Sequence, residues 1–324
     1  MTSVKLSLTA LTTLFLSSAC GAEINATLET PAPTGLVEET ATPFLLPTAT
    51  TTSTPAVIQP SMLPATTPVS MRVSTTDGMT EIQIPSGILH MGGLDVYAEN
   101  DELPPHDVEL DEFWIDQLEI TNSMYNLCVQ TGACAPPVKF NSDNRPDYFY
   151  NLEFRDYPVV YVSWLDASQY CQWAGRRLPT EAEWERAARG DDLRTYPWGD
   201  ELPNPTLLNF NNEVGDTSRV GSYQAGASPF SVLDMAGNVW EWTADLYKSN
   251  FYLTSALSNP TGPSEVIDLY QRVLRGGSFQ DERVNVRLSN RGYELGPDRM
   301  AAPQDPAYYG RSSVKIGFRC ASTN

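Results

Sequence analysis

Two stretches carry residue types and spacings that could do chemistry. "RVLRGGSFQDERVNVRLSNR", residues 272–291, sets five arginines and two serines around a Gly-Gly turn. Arg275, Ser278, Arg287 and Arg291 are its binding-pocket candidates, because a guanidinium recognises a carboxylate through paired hydrogen bonds. The competing reading is structural: in a loop-rich acidic chain, arginines tie loops together through carbonyls and neighbouring carboxylates. "DMAGNVWEW", residues 234–242, offers the Asp234 and Glu241 carboxylates with the Gly237 and Val239 carbonyls between them. Oxygens of this kind suit calcium, which takes about six to eight of them. Its alternative is a solvated turn with Glu241 paired to an arginine. The two histidines, His90 and His106, rule out a three-histidine metal centre, and neither has a nucleophile beside it in sequence.

Elements must hold these groups. "MTEIQIPSGILHMGG" alternates polar and apolar residues and reads as a strand that turns at Gly92-Gly93, and "HDVELDEFWIDQLEIT" alternates again. "TNSMYNLCVQTG" predicts a short helix capped by Thr121. A helix opening at Ser163 should end at Gly175, and another should start at Thr180 with Glu183 closing a capping box. Trp173, Leu178, Trp184 and Ala188 should face the core. Beyond Gly190 regular patterning fades, with short strands expected at "SVLDMAGNVWEWTADLY", "RVLRGGSF" and "KIGFRCAS". The tryptophans Trp164, Trp173, Trp184, Trp198, Trp240 and Trp242 read as core rather than as platforms for carbohydrate.

Net charge is −19, which disfavours nucleic acid as a partner. Residues 1–20 resemble an export leader, with Lys5, an apolar run over 6–16 and small residues before Cys20. Cys20 is the lipidation candidate, although Leu16 stands four rather than three positions before it; a simple cut after Ala19 would leave a secreted chain. Membrane contact is expected only through that lipid. Residues 21–76 are a Thr/Pro-rich spacer that cannot bury a core, and folded sequence is expected over 77–324. Of five cysteines, removal of Cys20 leaves four. Cys128 and Cys134 bracket a turn-like loop and should pair locally, leaving Cys171 to pair with Cys320.

"PVVYVSWLDASQYCQWAGRRLPTEAEWERAARG", "YPWGD", "VGSYQAGASPFSVLDMAGNVWEWTADLY", "RVLRGGSF" and "IGFRCA" occur in that order. Together they resemble the formylglycine-generating enzyme family, the sulfatase-modifying factor domain. The resemblance implies an α+β fold, that family's variant of the C-type lectin fold, with a small mixed sheet and two main helices. It matches Cys171 and Cys320 to a structural cysteine pair and Ser278 to a substrate-contacting position. Active members oxidise a sulfatase cysteine to an aldehyde with copper(I), held by two cysteines shortly after Gly-Gly-Ser. Here no cysteine lies between Ser278 and Arg319, so copper is not expected. A branch that makes carbon–sulfur bonds with iron draws its ligands from a histidine-bearing helical domain, which two histidines cannot supply. The resemblance further implies calcium at Asp234, Gly237, Val239 and Glu241. It implies a second calcium loop in "LNFNNEVGD", through the side chains of Asn209 and Asn212 and the carbonyls of Phe210 and Val214. The expected role is binding a protein or peptide at the cell envelope through the loop around 279–313. The alternative is an enzyme that oxidises or matures a partner protein in the same groove, a residual sulfatase-modifying role included.

Overall fold

The computed structural model describes residues 69–93, 95–264, 270–298, 300–301, 305 and 308–323. Cys20, the leader and most of the expected spacer lie outside the described residues, as do 299, 302–304 and 306–307 of the loop around 279–313.

Ten short strands and three α-helices make up the regular structure among the described residues. One sheet has the order β1-β2-β5-β10, from Met71–Val73, Thr80–Ile84, Phe113–Asp116 and Ala321–Ser322. All four β5 residues are buried, because β2 and β10 flank this strand in the sheet and Trp184, Ala187 and Ala188 pack against Phe113 and Ile115. The edge strand β1 begins before residue 77, where folded sequence was expected; three residues are too few to show a period of two. The anticipated single strand through "EIQIPSGILHM" is two. Pro85 lacks an N–H and stops the ladder after β2, and Gly87–Met91 starts β3, which pairs with β4, His106–Leu110.

A second sheet has the order β8-β7-β6-β9, from Gly292–Leu295, Gln271–Arg275, Trp240–Leu246 and Ile316–Gly317, with β9 parallel to β6. This pairing carries the site. It brings the turn before β6 against the turn after β7: Gly237 N–H donates to the Gly276 carbonyl at 2.9 Å and Phe279 N–H to Asn238 at 2.9 Å.

The helices form where their caps predict. Thr121 caps α1, Asn122–Thr131, and Gly132 ends it with φ 77°. Ser163 and Asp166 form a capping box on α2, Trp164–Trp173. Thr180 and Glu183 form the expected one on α3, Glu181–Arg189. Leu178, Trp184 and Ala188 are buried, while Trp173 is half-buried. All nine α3 residues are buried, although five are charged, and the helix packs against β3, β6 and β7. A charged helix inside a fold requires partners for its charges, and the loops supply them. Cys128 pairs with Cys134 and Cys171 with Cys320. The second closes 149 residues, worth about 5 kcal/mol in a chain-entropy estimate.

Candidate functional site

The Gly276-Gly277-Ser278 turn follows β7 into the interior. A Cβ on Gly277 (φ 74°) would stand 2.8 Å from the Asn285 carbonyl oxygen, so only glycine lets the two backbones meet. Ser278 is buried; its N–H donates to Asp281 Oδ2 at 2.9 Å and its hydroxyl donates to the same oxygen. Trp240 Nε1–H reaches that oxygen too, at 2.9 Å. Three donors thus fix one oxygen of Asp281, three residues after Ser278. A hard, hydrogen-bonded carboxylate sits in this turn, and no cysteine lies between Ser278 and Arg319.

The arginine pocket is corrected by the structure. Arg275, Arg287 and Arg291 are buried and their charges are met inside the protein. Arg275 donates to Glu185 and to the Ser289 carbonyl at 2.9 Å. Arg287 grips Glu102 through two bonds of 2.6 and 2.8 Å. Arg291 holds Glu181 through bonds of 2.7 and 3.1 Å. Burial raises the Glu181 pKa, but Arg291 and Arg275 outweigh it and hold the carboxyl below its ordinary range. These guanidiniums tie α3 and the loop between β3 and β4 to the end of β7 and the segment that follows it. Ser278 likewise spends its hydroxyl on Asp281 and offers nothing to a ligand. Arg291 also borders a surface cleft.

The expected calcium residues split into two groups. Asn209 is buried and Phe210 nearly so; the Asn209 side-chain amide donates to the Asp216 carbonyl at 2.8 Å, while its own Oδ1 is buried without a partner. Asn212 and Val214 are exposed, and the N–H groups of left-handed Asn211 and Asn212 donate to the Asp281 and Phe279 carbonyls. Buried Asp216 and Asn238 stand nearer.

Asp234, Gly237, Val239 and Glu241 are all buried. Glu241 is held by Arg319 in two bonds of 2.7 Å and by Trp184 Nε1–H at 2.8 Å, so its arginine pairing is real but buried rather than solvated. Asp234 Oδ2 accepts from Gly221 N–H at 2.6 Å, and burial pushes its pKa up to about 6. Sequence reading missed Glu119, which is fully buried. Asn238 donates to its Oε2 at 2.7 Å, and its Oε1 has no partner. Burial, then the charges of Asp234 and Glu241, push its pKa well up. The sequence signal was faint: "DQLEIT" carries two acids, Asp116 and Glu119, among only two apolar residues, and nothing local marks Glu119 as buried. The three carboxylates feel one another, yet no group of three histidine, cysteine or carboxylate side chains converges at metal-binding distance among the described residues. A cation here would need carbonyl oxygens as well.

Residues 66–324 match the family described as the sulfatase-modifying factor enzyme 1-like domain. The chain is 32% identical to the formylglycine-generating enzyme of Streptomyces coelicolor, over 82% of this chain and 96% of that protein. It is 34% identical to the serine/threonine-protein kinase pkn1 of Chlamydia pneumoniae over 70% of this chain, but over only 35% of the kinase. Among solved structures it resembles PvdO from Pseudomonas aeruginosa, with a TM-score of 0.61 and 27% identity over 79% of this chain and 98% of that one. The motifs, the α+β architecture and these matches agree: the chain belongs to the formylglycine-generating enzyme family, the sulfatase-modifying factor fold.

Proposed function

We infer that this family member is a protein- or peptide-binding module of the cell envelope and not a copper-dependent formylglycine-generating oxidase. One observation carries the reading: the segment after Ser278 contains no cysteine, and the family's sulfur chemistry gives way there to an oxygen donor, Asp281, already tied to Ser278 and Trp240. The domain's four cysteines form disulfides, so none is free as a thiolate. Copper(I) selects soft thiolates and gains little from a carboxylate. Purified protein given copper(I) and a sulfatase-type cysteine peptide should yield no aldehyde by mass spectrometry. A peptide converted to the aldehyde overturns the reading.

The second reading, an enzyme acting on a partner protein in the same groove, draws on the half-buried Asp281 carboxylate, whose Oδ2 takes all three donors. Envelope extracts passed over the immobilised protein separate the two. A partner retained unchanged in mass supports binding; a retained partner whose mass shifts only with Asp281 intact supports catalysis.

Calcium is the proposed structural cofactor. The unpartnered Asn209 Oδ1 and Glu119 Oε1 are buried oxygens of the kind calcium takes, and three carboxylates face the single Arg319 guanidinium around Asp234. Asn209 and Phe210 would hold one ion, with Asp234 and the Gly237 and Val239 carbonyls around the other. Chelator should lower the melting temperature by several degrees and calcium should restore it; an unchanged melt removes the ion from the account. Export with a lipid on Cys20 is proposed from the leader-like sequence, and the two disulfides fit an oxidising compartment. Metabolic labelling with a fatty-acid analogue should mark the wild type and leave Cys20→Ser unlabelled.

A further inference from the structure

A cleft of about 670 Å³ opens between the loop that precedes β4 and the end of β6, away from the Ser278 turn. Glu99, Asp101, Tyr247, Asn250, Arg291 and Tyr293 are among its walls. Tyr247 and Tyr293 stack with ring centroids 4.2 Å apart and planes 27° apart. Tyr247 is fixed by donating its hydroxyl to Asp101 Oδ2 at 2.7 Å. Tyr293 is 50% exposed, so one face of the stacked pair remains available. Arg291 lies beneath, 5.1 Å from the Tyr247 ring centroid, but its guanidinium is spent on Glu181 and on the carbonyls of Asp101 and Lys248. Among the described residues of the wall no free cation therefore competes. What the cleft offers a ligand is an aromatic face rimmed by the exposed Glu99 and the half-buried Asp101. Lys248 belongs to a neighbouring cleft.

We propose that this cleft binds the arginine side chain of a partner polypeptide, its guanidinium plane stacked on Tyr293 and its N–H groups donating to Glu99 and Asp101. A planar cation matches both features: the ring quadrupole attracts it and the carboxylates accept its hydrogen bonds. The chain's net charge of −19 adds a long-range attraction for basic segments without selecting the site. The occupant rests on the binding-module reading above; the geometry of the cleft does not.

The test is calorimetric titration of the full chain with acetyl-Gly-Arg-Gly-amide and with the same peptide carrying citrulline, which keeps the shape and removes the charge. Saturable binding of the arginine peptide is expected, roughly tenfold weaker with citrulline and about five- to tenfold weaker for Tyr293→Ala or Glu99→Gln. Both positions are exposed, and unchanged melting temperatures will show that the variants fold. No saturable binding of the arginine peptide, equal binding of the citrulline peptide, or wild-type affinity in both variants overturns the site. Envelope capture keeps the two readings apart. If wild type and Tyr293→Ala retain one partner equally, the cleft falls and the module stands. If the peptide binds in the cleft and no partner is ever retained, the module falls and the cleft stands.

Discussion

At the scale of single residues, the interior is organised by charge pairing. Arg275 is fully buried among Glu181, Glu185 and two carbonyls. Removing its charge strands carboxylates that have left water, which typically costs about 3–5 kcal/mol. Arg275→Met should therefore lower unfolding free energy by roughly that amount in urea; a ligand-contacting arginine would lose affinity and leave stability nearly unchanged. Asp245 is the opposite case. It is buried and accepts from Glu181 N–H at 2.8 Å, while burial and then the Glu181 charge push its pKa from 3.8 up to about 8. Its folded form keeps a proton that the unfolded chain has released, so its contribution to stability falls as pH rises from about 4 to about 8 and is flat above. Asp245→Asn keeps an acceptor for Glu181 and cannot ionise. It should raise the melting temperature at pH 8.5 and leave it near wild type at pH 4; an equal shift at both pH values would show that ionisation is not the cause.

Elements show how local rules place the site. The Thr180–Glu183 box starts α3 at the residue whose side chain, Glu181, receives Arg291 and Arg275. Thr180→Ala should cost about 1 kcal/mol by thermal melts. Gly277 performs the complementary task after β7. Its left-handed backbone and the 2.8 Å approach to the Asn285 carbonyl oxygen leave no room for a methyl group. Gly277→Ala should cost about 2 kcal/mol or more, since the conformational penalty alone is about 1–2 kcal/mol. A neutral result at either position would mean that the turn or cap relaxes without loss. The caps and the Gly-Gly turn could be read from sequence because their causes lie within four residues. The pairing of β6 with β7 and β9 could not, since it joins segments dozens of residues apart.

For the molecule as a whole, staples replace regular structure. Short strands and long loops give each residue few local constraints, and the Cys171–Cys320 bond joins α2 to the residue just before β10. Replacing both cysteines with serine should destabilise the domain by about 4–5 kcal/mol, read as a lower denaturant midpoint. A midpoint within error of wild type would show that packing alone holds that end. Both disulfide pairings were legible from sequence, because cysteine counting leaves few combinations. The architecture was legible through long ordered motifs. Of the two readings for the arginines, a pocket for a carboxylate and ties between loops, the second holds for Arg275, Arg287 and Arg291, and sequence spacing could not decide it because it says nothing about which acids fold against them.

The sequence by itself determined the family, the helix caps, the turn glycines and the lack of any cysteine between Ser278 and Arg319, all properties of residue type and near-neighbour spacing. Tertiary structure alone decided that Arg275, Arg287 and Arg291 face inward, that Glu119 joins Asp234 and Glu241, and that Asn209 is buried while Asn212 and Val214 stay exposed. The same holds for the meeting of Tyr247 with Tyr293 beside Asp101. The physical reason is common to all of them. Burying a charge or stacking a ring depends on partners brought from distant segments, and long-range contacts follow from the packing of the whole chain rather than from any window along it.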